Sequence, residues 1–345
     1  MSDEKVTLAH VARLAGVSMI TVSKVLNNKG RISEATRARV LQAASQLGYV
    51  ANTAARSLRG RPTQILGMVI PELVSPYFAE VARAAADAAS QMGYDLAVFT
   101  TSRDPERERE RVGTLLGGLA DGLVFVVPIG AAGFLATLER SRSPVVLVNH
   151  FGAPTHLPVV RADSFEGSLA AVRHLMALGH RRIGFVGGAS HSSQAAERLR
   201  AYRECMMAAG LWDEQLVRPG DFTQQRGVEA GHELLSLENP PTAIFAASDL
   251  TAFGVIAAAR SRGLQVPEDL SVVGFDDIPA AAHSHPGLTT VAHPIPAMAQ
   301  AAVELIARAM AGEKLQDVLI EFPSELVVRG SSAPPPALRS RRRNR

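Results

Sequence analysis

Apolar residues near the start of the chain recur with helical spacing. Leu8, Val11, Ala12 and Ala15 follow Thr7 at i, i+3, i+4 and i+7, which predicts one buried helix face behind a good N-cap. Gly16 supplies the left-handed residue that ends this helix. Ser18 caps a second helix with Val22, Val25 and Leu26 inward, and a third runs from Ser33, through Val40, Ala43, Ala44 and Leu47, to Gly48. From Gln64 the pattern changes. Short, nearly continuous apolar runs (ILGMVI, DLAVFT, GLVFVV, PVVLVN, RIGFVG, AIFAAS, LSVVGF) alternate with amphipathic stretches such as 77–92, 165–178, 194–209, 249–262 and 297–311. Such runs separated by helices predict parallel sheets covered on both faces. About 270 residues exceed what one such sheet usually spans, so two α/β subdomains are expected. A ligand belongs in the cleft at the carboxyl ends of their strands.

A helix, a short glycine-containing turn and a second helix form the helix-turn-helix motif, whose second helix presents its first residues to the major groove of DNA. Small helical bundles share that pattern, so charge has to decide. Residues 1–62 hold ten Lys and Arg against three Asp and Glu, a net +7, and the stretch from 339 adds five Arg. With a whole-chain charge of +3, residues 63–338 carry −9. Basic charge confined to the ends fits one small domain that neutralises phosphates and a large one that does not.

The blocks VARLAGVS, TVSKVLN, RISEATRARV, LGYVAN and AARSLRG, in that order and spacing, resemble the headpiece of the lactose/galactose repressor (LacI/GalR) family of bacterial transcription regulators. The resemblance continues to about residue 332. It implies an all-α helix-turn-helix headpiece and a hinge helix. These are joined to a two-subdomain α/β domain, with parallel sheets, like that of periplasmic sugar-binding proteins. It places Thr7, Ser18, Met19, Ile20, Thr21, Ser23, Lys24 and Asn27 at the DNA surface. Met19 and Ile20 suit thymine methyls, and Lys24, where Arg is more usual, suits guanine O6 and N7 with looser discrimination. The bland alternative for Met19 and Ile20 is core packing, but Val22, Val25 and Leu26 already fill that face.

Residues 52–58 match the family's hinge helix, too short to be stable alone in water. The resemblance implies that Asn52, Ala55 and Arg56 contact DNA. It also implies that Leu58 wedges into a minor-groove step, where the cost of unstacking is offset by contacts to the kinked duplex. A linker residue touching the large domain is the plainer role for Leu58.

By the same resemblance, Arg198 in AERLRAYRE and Asp276 in VVGFDD are effector contacts. Phe222 in PGDF covers the ligand, Tyr77 and Phe78 flank the mouth, and Asp163 and Glu166 in ADSFEG offer carboxylates. Ser248, a strand-end residue, stands where Asn is more usual, and Ala201 stands where Gly is common. A guanidinium and a carboxylate that each engage neighbouring hydroxyls under an aromatic cover suit a sugar or polyol. Turn-forming or helix-capping roles compete at each strand end. The expected boundaries are 1–50 for the headpiece, 51–62 for the hinge helix and linker, and 63–332 for the effector domain. Its subdomains are roughly 63–161 with 293–322, and 162–292 with 323–332. Residues 333–345, SSAPPPALRSRRRNR in their fuller context, read as a Pro-rich linker and disordered basic tail without leucine heptads, so a homodimer is expected rather than a tetramer.

The remaining features narrow the class. The sequence opens MSDEK with nothing like a signal peptide, and no apolar run is long enough to span a bilayer, so a cytoplasmic protein without a membrane partner is expected. The single cysteine, Cys205, excludes an internal disulfide. GFVGGAS lacks both GxGxxG and GxxxxGK[ST], so it reads as a strand-end turn. His283, His285 and His293 lack ligand spacing, and no metal or cofactor is expected. A ligand-binding enzyme is the competing class, but no nucleophile elbow or triad order appears. The ERER run at Glu106–Arg111 reads as a solvated helix face with local charge pairing. The expected partners are a pseudo-palindromic operator, a small sugar-like effector and a second copy of the chain, with ligand releasing the repressor. A ligand that instead promotes DNA binding is the alternative within the same architecture.

Overall fold

The computed structural model describes residues 6–26, 30–49, 62–129 and 132–336. These divide into two compact units, one ending at Thr63 and the other starting at Gln64. In the first, α1 (Leu8–Ala15) and α2 (Met19–Leu26) meet at a bend of 103°. The Thr7 amide donates to His10 Nδ1 at 3.3 Å, which closes the first turn. Gly16, at φ 64°, turns the chain, and Ser18 Oγ accepts from the Thr21 amide at 3.1 Å to start the second helix. Ser33 caps α3 (Glu34–Gln46) in the same way, accepting from the Thr36 amide at 3.3 Å. Val11, Ala12, Ala15, Val22, Val25, Val40, Ala43 and Ala44 form the buried centre of this bundle.

In the larger unit, β1 (Ile65–Ile70), α4 (Pro76–Gln91), β2 (Asp95–Thr100), α5 (Pro105–Thr114), β3 (Gly122–Val126), α6 (Ala132–Leu138), β4 (Val145–Val148) and β5 (Val159–Ala162) build the first subdomain. The chain then crosses to the second: α7 (Ser164–Ala177), β6 (Ile183–Val186), α8 (Ser193–Ala208), β7 (Val217–Arg218), α9 (Gln224–Leu235), β8 (Ala243–Ala246), α10 (Asp249–Ser261), β9 (Ser271–Asp276), α11 (Pro279–His283) and β10 (Thr289–Ala292). It returns for α12 (Ile295–Met310) and β11 (Leu319–Phe322), and crosses a third time to β12 (Glu325–Val327). The first sheet has the order β11-β5-β4-β3-β1-β2 and every pairing is parallel. The second has the order β12-β10-β9-β8-β6-β7, and its last strand, β12, runs antiparallel to β10.

The seven apolar runs all become strands, and the five amphipathic stretches become α4, α7, α8, α10 and α12 within two residues at each end. β5, β7, β10, β11 and β12 carry no continuous apolar run. They are short, and three of them, β7, β11 and β12, lie at a sheet edge, where one neighbour and partial burial suffice. The ERER run is corrected at one position. Glu108 is 2 % exposed and its Oε2 accepts from the Ile129 amide at 3.1 Å, so it holds the loop after β3 while its neighbours face water. The packed body also extends past 332: the Ala333 amide donates to Ser271 Oγ at 3.0 Å and its carbonyl meets His180 Nε2 at 2.9 Å.

Two helices of the second subdomain approach as closely as helices can. α9 and α10 cross with Gly227 against the Thr251 backbone and Gly254 against the Gln224 carbonyl, where a Cβ at either glycine would overlap main chain. Gly254→Ala is therefore expected to destabilise the larger unit by about 2 kcal/mol, despite the ~1 kcal/mol of helix propensity it gains, because neither backbone can yield. Urea unfolding of the variant against wild type measures this, and an unchanged midpoint would mean the helices can slide apart freely.

Candidate functional site

The first subdomain contributes the N-terminus of α4 to the cleft, and the second contributes those of α8 and α10. Each follows a strand's carboxyl end with a serine at the N-cap position, Ser75, Ser192 and Ser248, of which the last two accept a helix amide. A narrow cleft opens between them. It gathers Tyr77, Phe78, Arg198, Phe222, Ser248 and Asp276, together with Ser75, Arg103, Ser192 and Gln194. Asp163 and Glu166 lie elsewhere. Asp163 accepts from the Glu166 amide at 2.9 Å to cap α7, and both line a separate charged depression with Phe151, Arg161, Phe165 and Arg200. The residue that ends β5 is the buried Ala162, so the carboxylate one position later turns to the helix cap instead of the cleft.

At the centre of the cavity, Arg198 is 2 % exposed. Its guanidinium lies 3.8 Å from the centre of the Phe275 ring, its Nη1 donates to the Ala247 carbonyl, and its Nη2 reaches Asp276 Oδ1 at 3.3 Å. Nε is buried without a partner. Burial holds the Asp276 carboxyl up at about 6, against the downward pull of Arg198. Asp249 sits behind it, fully buried, accepting from Thr290 Oγ1 and the Ile278 amide, and burial raises its carboxyl well above the ordinary range, with the Asp276 charge adding to the effect. His293, one of the three histidines set aside as unsuited to metal, is buried against the pair. Its Nε2 lies 3.4 Å from Arg198 Nη2, and burial, helped by the Arg198 charge, pushes its pKa well below the usual range. Neutral His293 therefore accepts through Nε2 and carries its proton on Nδ1. Among the described residues no group of three or more His, Cys, Asp or Glu side chains is placed to hold a metal ion.

The far wall is set by a residue the sequence reading passed over. Asn149, at the end of β4, is fully buried, donates to the Tyr77 hydroxyl and accepts from the Ala162 amide at 3.1 Å. It ties two strand ends to the aromatic wall. Its position at the close of PVVLVN was the available signal. Gln194 and Arg103 carried none, because neither ends an apolar run. Burial raises the Tyr77 phenol far above its normal range, so it stays a neutral hydroxyl. Ser248 has two structural duties, accepting from the Thr251 amide at 3.2 Å and donating to the Phe222 carbonyl at 3.4 Å.

In the headpiece, Met19 is 56 % and Ile20 69 % exposed, whereas Val22 and Val25 are buried. The two large apolar side chains at the start of α2 are thus not core residues. Thr7, Ser18 and Lys24 are exposed and Thr21 and Ser23 half-buried. Asn27, Asn52, Ala55, Arg56 and Leu58 lie outside the described residues.

Comparison with known proteins decides the family. Residues 7–52 match the model of the bacterial regulatory proteins of the lacI family, and residues 172–332 match a periplasmic binding protein-like domain. The HTH-type transcriptional regulator DegA of Bacillus subtilis is 34 % identical over 96 % of this chain and 99 % of its own. The chain belongs to the LacI family. Among solved structures, that of the transcriptional regulator CelR–cellobiose complex covers 95 % of this chain and 100 % of that one, at 33 % identity and a TM-score of 0.73. The lac repressor dimer bound to operator and the anti-inducer ONPF covers 96 % and 100 %, at 27 % identity and a TM-score of 0.83. As a LacI-family member the protein is a DNA-binding, ligand-responsive transcription regulator, and its relatives are regulators rather than enzymes. Among the described residues no single helix is long and apolar enough to cross a membrane.

The electrostatics of this LacI-family cavity are open to direct measurement. Asp276 should titrate with a midpoint near pH 6 in the ligand-free protein, read from its side-chain carboxyl ¹³C shift. Arg198→Leu should move that midpoint higher still, since the opposing positive charge is gone. A midpoint near the ordinary value for Asp would show that water fills the cleft and that the carboxylate is not desolvated.

Proposed function

We propose that the protein is a dimeric repressor that leaves its operator when a sugar-like polyol binds between the two subdomains of the larger unit. The observation that carries this reading is the buried Arg198–Asp276 pair, placed under Phe222 in a cavity between two α/β subdomains, on a chain that also holds a helix-turn-helix. Asp276 accepts hydroxyl protons, Arg198 Nε donates to a ring or hydroxyl oxygen, and the Phe222 face covers C–H groups. Cellobiose in the CelR complex supports the polyol class, and operator DNA in the lac repressor complex supports the DNA half.

On the DNA side, Met19 and Ile20 meet thymine methyls and Lys24 donates to guanine, with Thr7, Ser18, Thr21, Ser23 and Asn27 on flanking bases and phosphates. Two headpieces of a homodimer read the half-sites of a pseudo-palindrome, and Asn52, Ala55, Arg56 and Leu58 serve the central minor groove. A ligand that fits one relative angle of the subdomains better than another shifts the dimer between DNA-competent and DNA-incompetent forms. Linkage then requires DNA to weaken ligand affinity by the same factor. Such a regulator works in the cytoplasm, where its operator is.

A thermal-shift screen of neutral sugars, sugar phosphates and purines tests the ligand class. A true effector at a hundred times its dissociation constant stabilises the protein by about 2.7 kcal/mol. A purine hit without any sugar hit would replace the polyol reading, and stronger DNA binding with ligand would reverse the proposed sign. Arg198→Ala is expected to abolish the ligand response while operator binding persists. Leu58→Ala is expected to weaken operator binding at least tenfold with ligand affinity unchanged. Equal loss of both activities in either variant, in gel-shift and calorimetric assays, would indicate damage to the fold instead.

A further inference from the structure

Phe222 is held by three features that bear on how the cavity is covered. Its backbone is left-handed, at φ 69°, a conformation that phenylalanine rarely adopts. Its ring lies on Gly188 of the GFVGGAS turn so closely that a Cβ there would overlap the ring. It also sits between two guanidinium groups, 5.8 Å from Arg198 and 6.0 Å from Arg103. Arg198 belongs to the same subdomain as Phe222. Arg103 does not: it lies in the loop after β2, on the opposite side of the cleft.

Arg103 is aimed by its own surroundings. Ser102 and Arg103 are consecutive left-handed residues, at φ 54° and 59°, and the Ser102 amide donates to the Pro71 carbonyl at 2.8 Å. The Arg103 amide donates to Thr101 Oγ1 at 3.2 Å, and its Nη2 pairs with Glu72 at 3.0 Å. Two strained residues, fixed by one backbone hydrogen bond, one bond to the Thr101 hydroxyl and an ion pair, direct one cation at an aromatic ring on the other subdomain. Strain of this kind persists only where the surrounding contacts over-determine it.

We propose that Arg103 is a positioning residue, a cross-cleft latch that holds Phe222 down over the cavity, and that Gly188 is the seat this requires. Opening of the cleft separates Arg103 from the ring, so the contact favours the closed arrangement. A ligand bound under Phe222 meets a larger closed fraction and binds correspondingly tighter. The proposal rests on the reading of this cavity as a ligand site, yet its test needs no ligand, so the two can fail separately.

The test is hydrogen–deuterium exchange on the full-length, ligand-free protein, followed in peptides covering 100–104 and 219–224. Loss of one partly exposed cation–ring contact corresponds to about a two- to fivefold change in local opening. Arg103→Gln is expected to raise exchange in both peptides by that factor, and Arg103→Lys, which keeps a cation over the ring, to restore most of the protection. Gly188→Ala is expected to loosen the same two peptides by unseating the ring. If it lowers global stability as well, the Arg103 pair still carries the test. Phe222→Leu combined with Arg103→Gln should loosen the cleft no more than either change alone. Wild-type exchange at 219–224 in Arg103→Gln, no difference between Gln and Lys at 103, or full additivity in the double variant would each overturn the latch.

Discussion

The cost of burying charge organises the larger unit. Arg198 and Asp276 are withdrawn from water, and each would be strongly destabilising without the other. The surrounding structure meets that cost with particular contacts. Phe275 offers its face to the guanidinium, the Ala247 carbonyl takes one proton, and a neutral histidine takes part of another. Because these partners come from the segment after β8, from β9 and from the segment after β10, the pair draws the carboxyl ends of neighbouring strands into a single polar floor. One polar atom of that floor, Arg198 Nε, stays buried without a partner.

The two subdomains divide their labour around that floor. The second supplies the buried charge pair, and the first supplies Arg103 and a wall of Tyr77 and Phe78 that Asn149 ties to the ends of β4 and β5. Leu250, Phe253 and Ile278 of the second subdomain pack against the hydrophobic core of the first, so the closed cleft has an apolar contribution of its own. Polar groups that want a partner and apolar groups that already have one lie side by side across the same opening. That combination lets a small molecule change the balance without having to supply all the energy of closure.

Most of this architecture was legible in the sequence because burial on both faces writes a continuous apolar run, and all seven such runs are strands. Helices were equally plain where serine or threonine stood before an amphipathic stretch, as at Ser33 and Ser192. Legibility failed where a residue's role depends on a distant neighbour. Asp163 had the chemistry of a ligand contact, but its helix took it as a cap. Glu108 stood in a charged run that reads as solvated, and it alone turns inward to a backbone amide. Asn149 and Arg103 act through strand ends and loops that meet only after folding. In α2 the period put Val22 and Val25 on the core face, and the exposure of Met19 and Ile20 shows that neither of them shares it.

The polypeptide passes between the subdomains three times, after β5, after β10 and after β11. Three covalent struts side by side forbid sliding and leave rotation about the row of crossings as the easy motion. The message a ligand can write is therefore a single angle. Changes in the cavity can alter how strongly that angle is favoured, or by which molecule, without altering its direction. A scaffold with one soft coordinate can accept new chemistry at its centre and still deliver the same mechanical output at its far end.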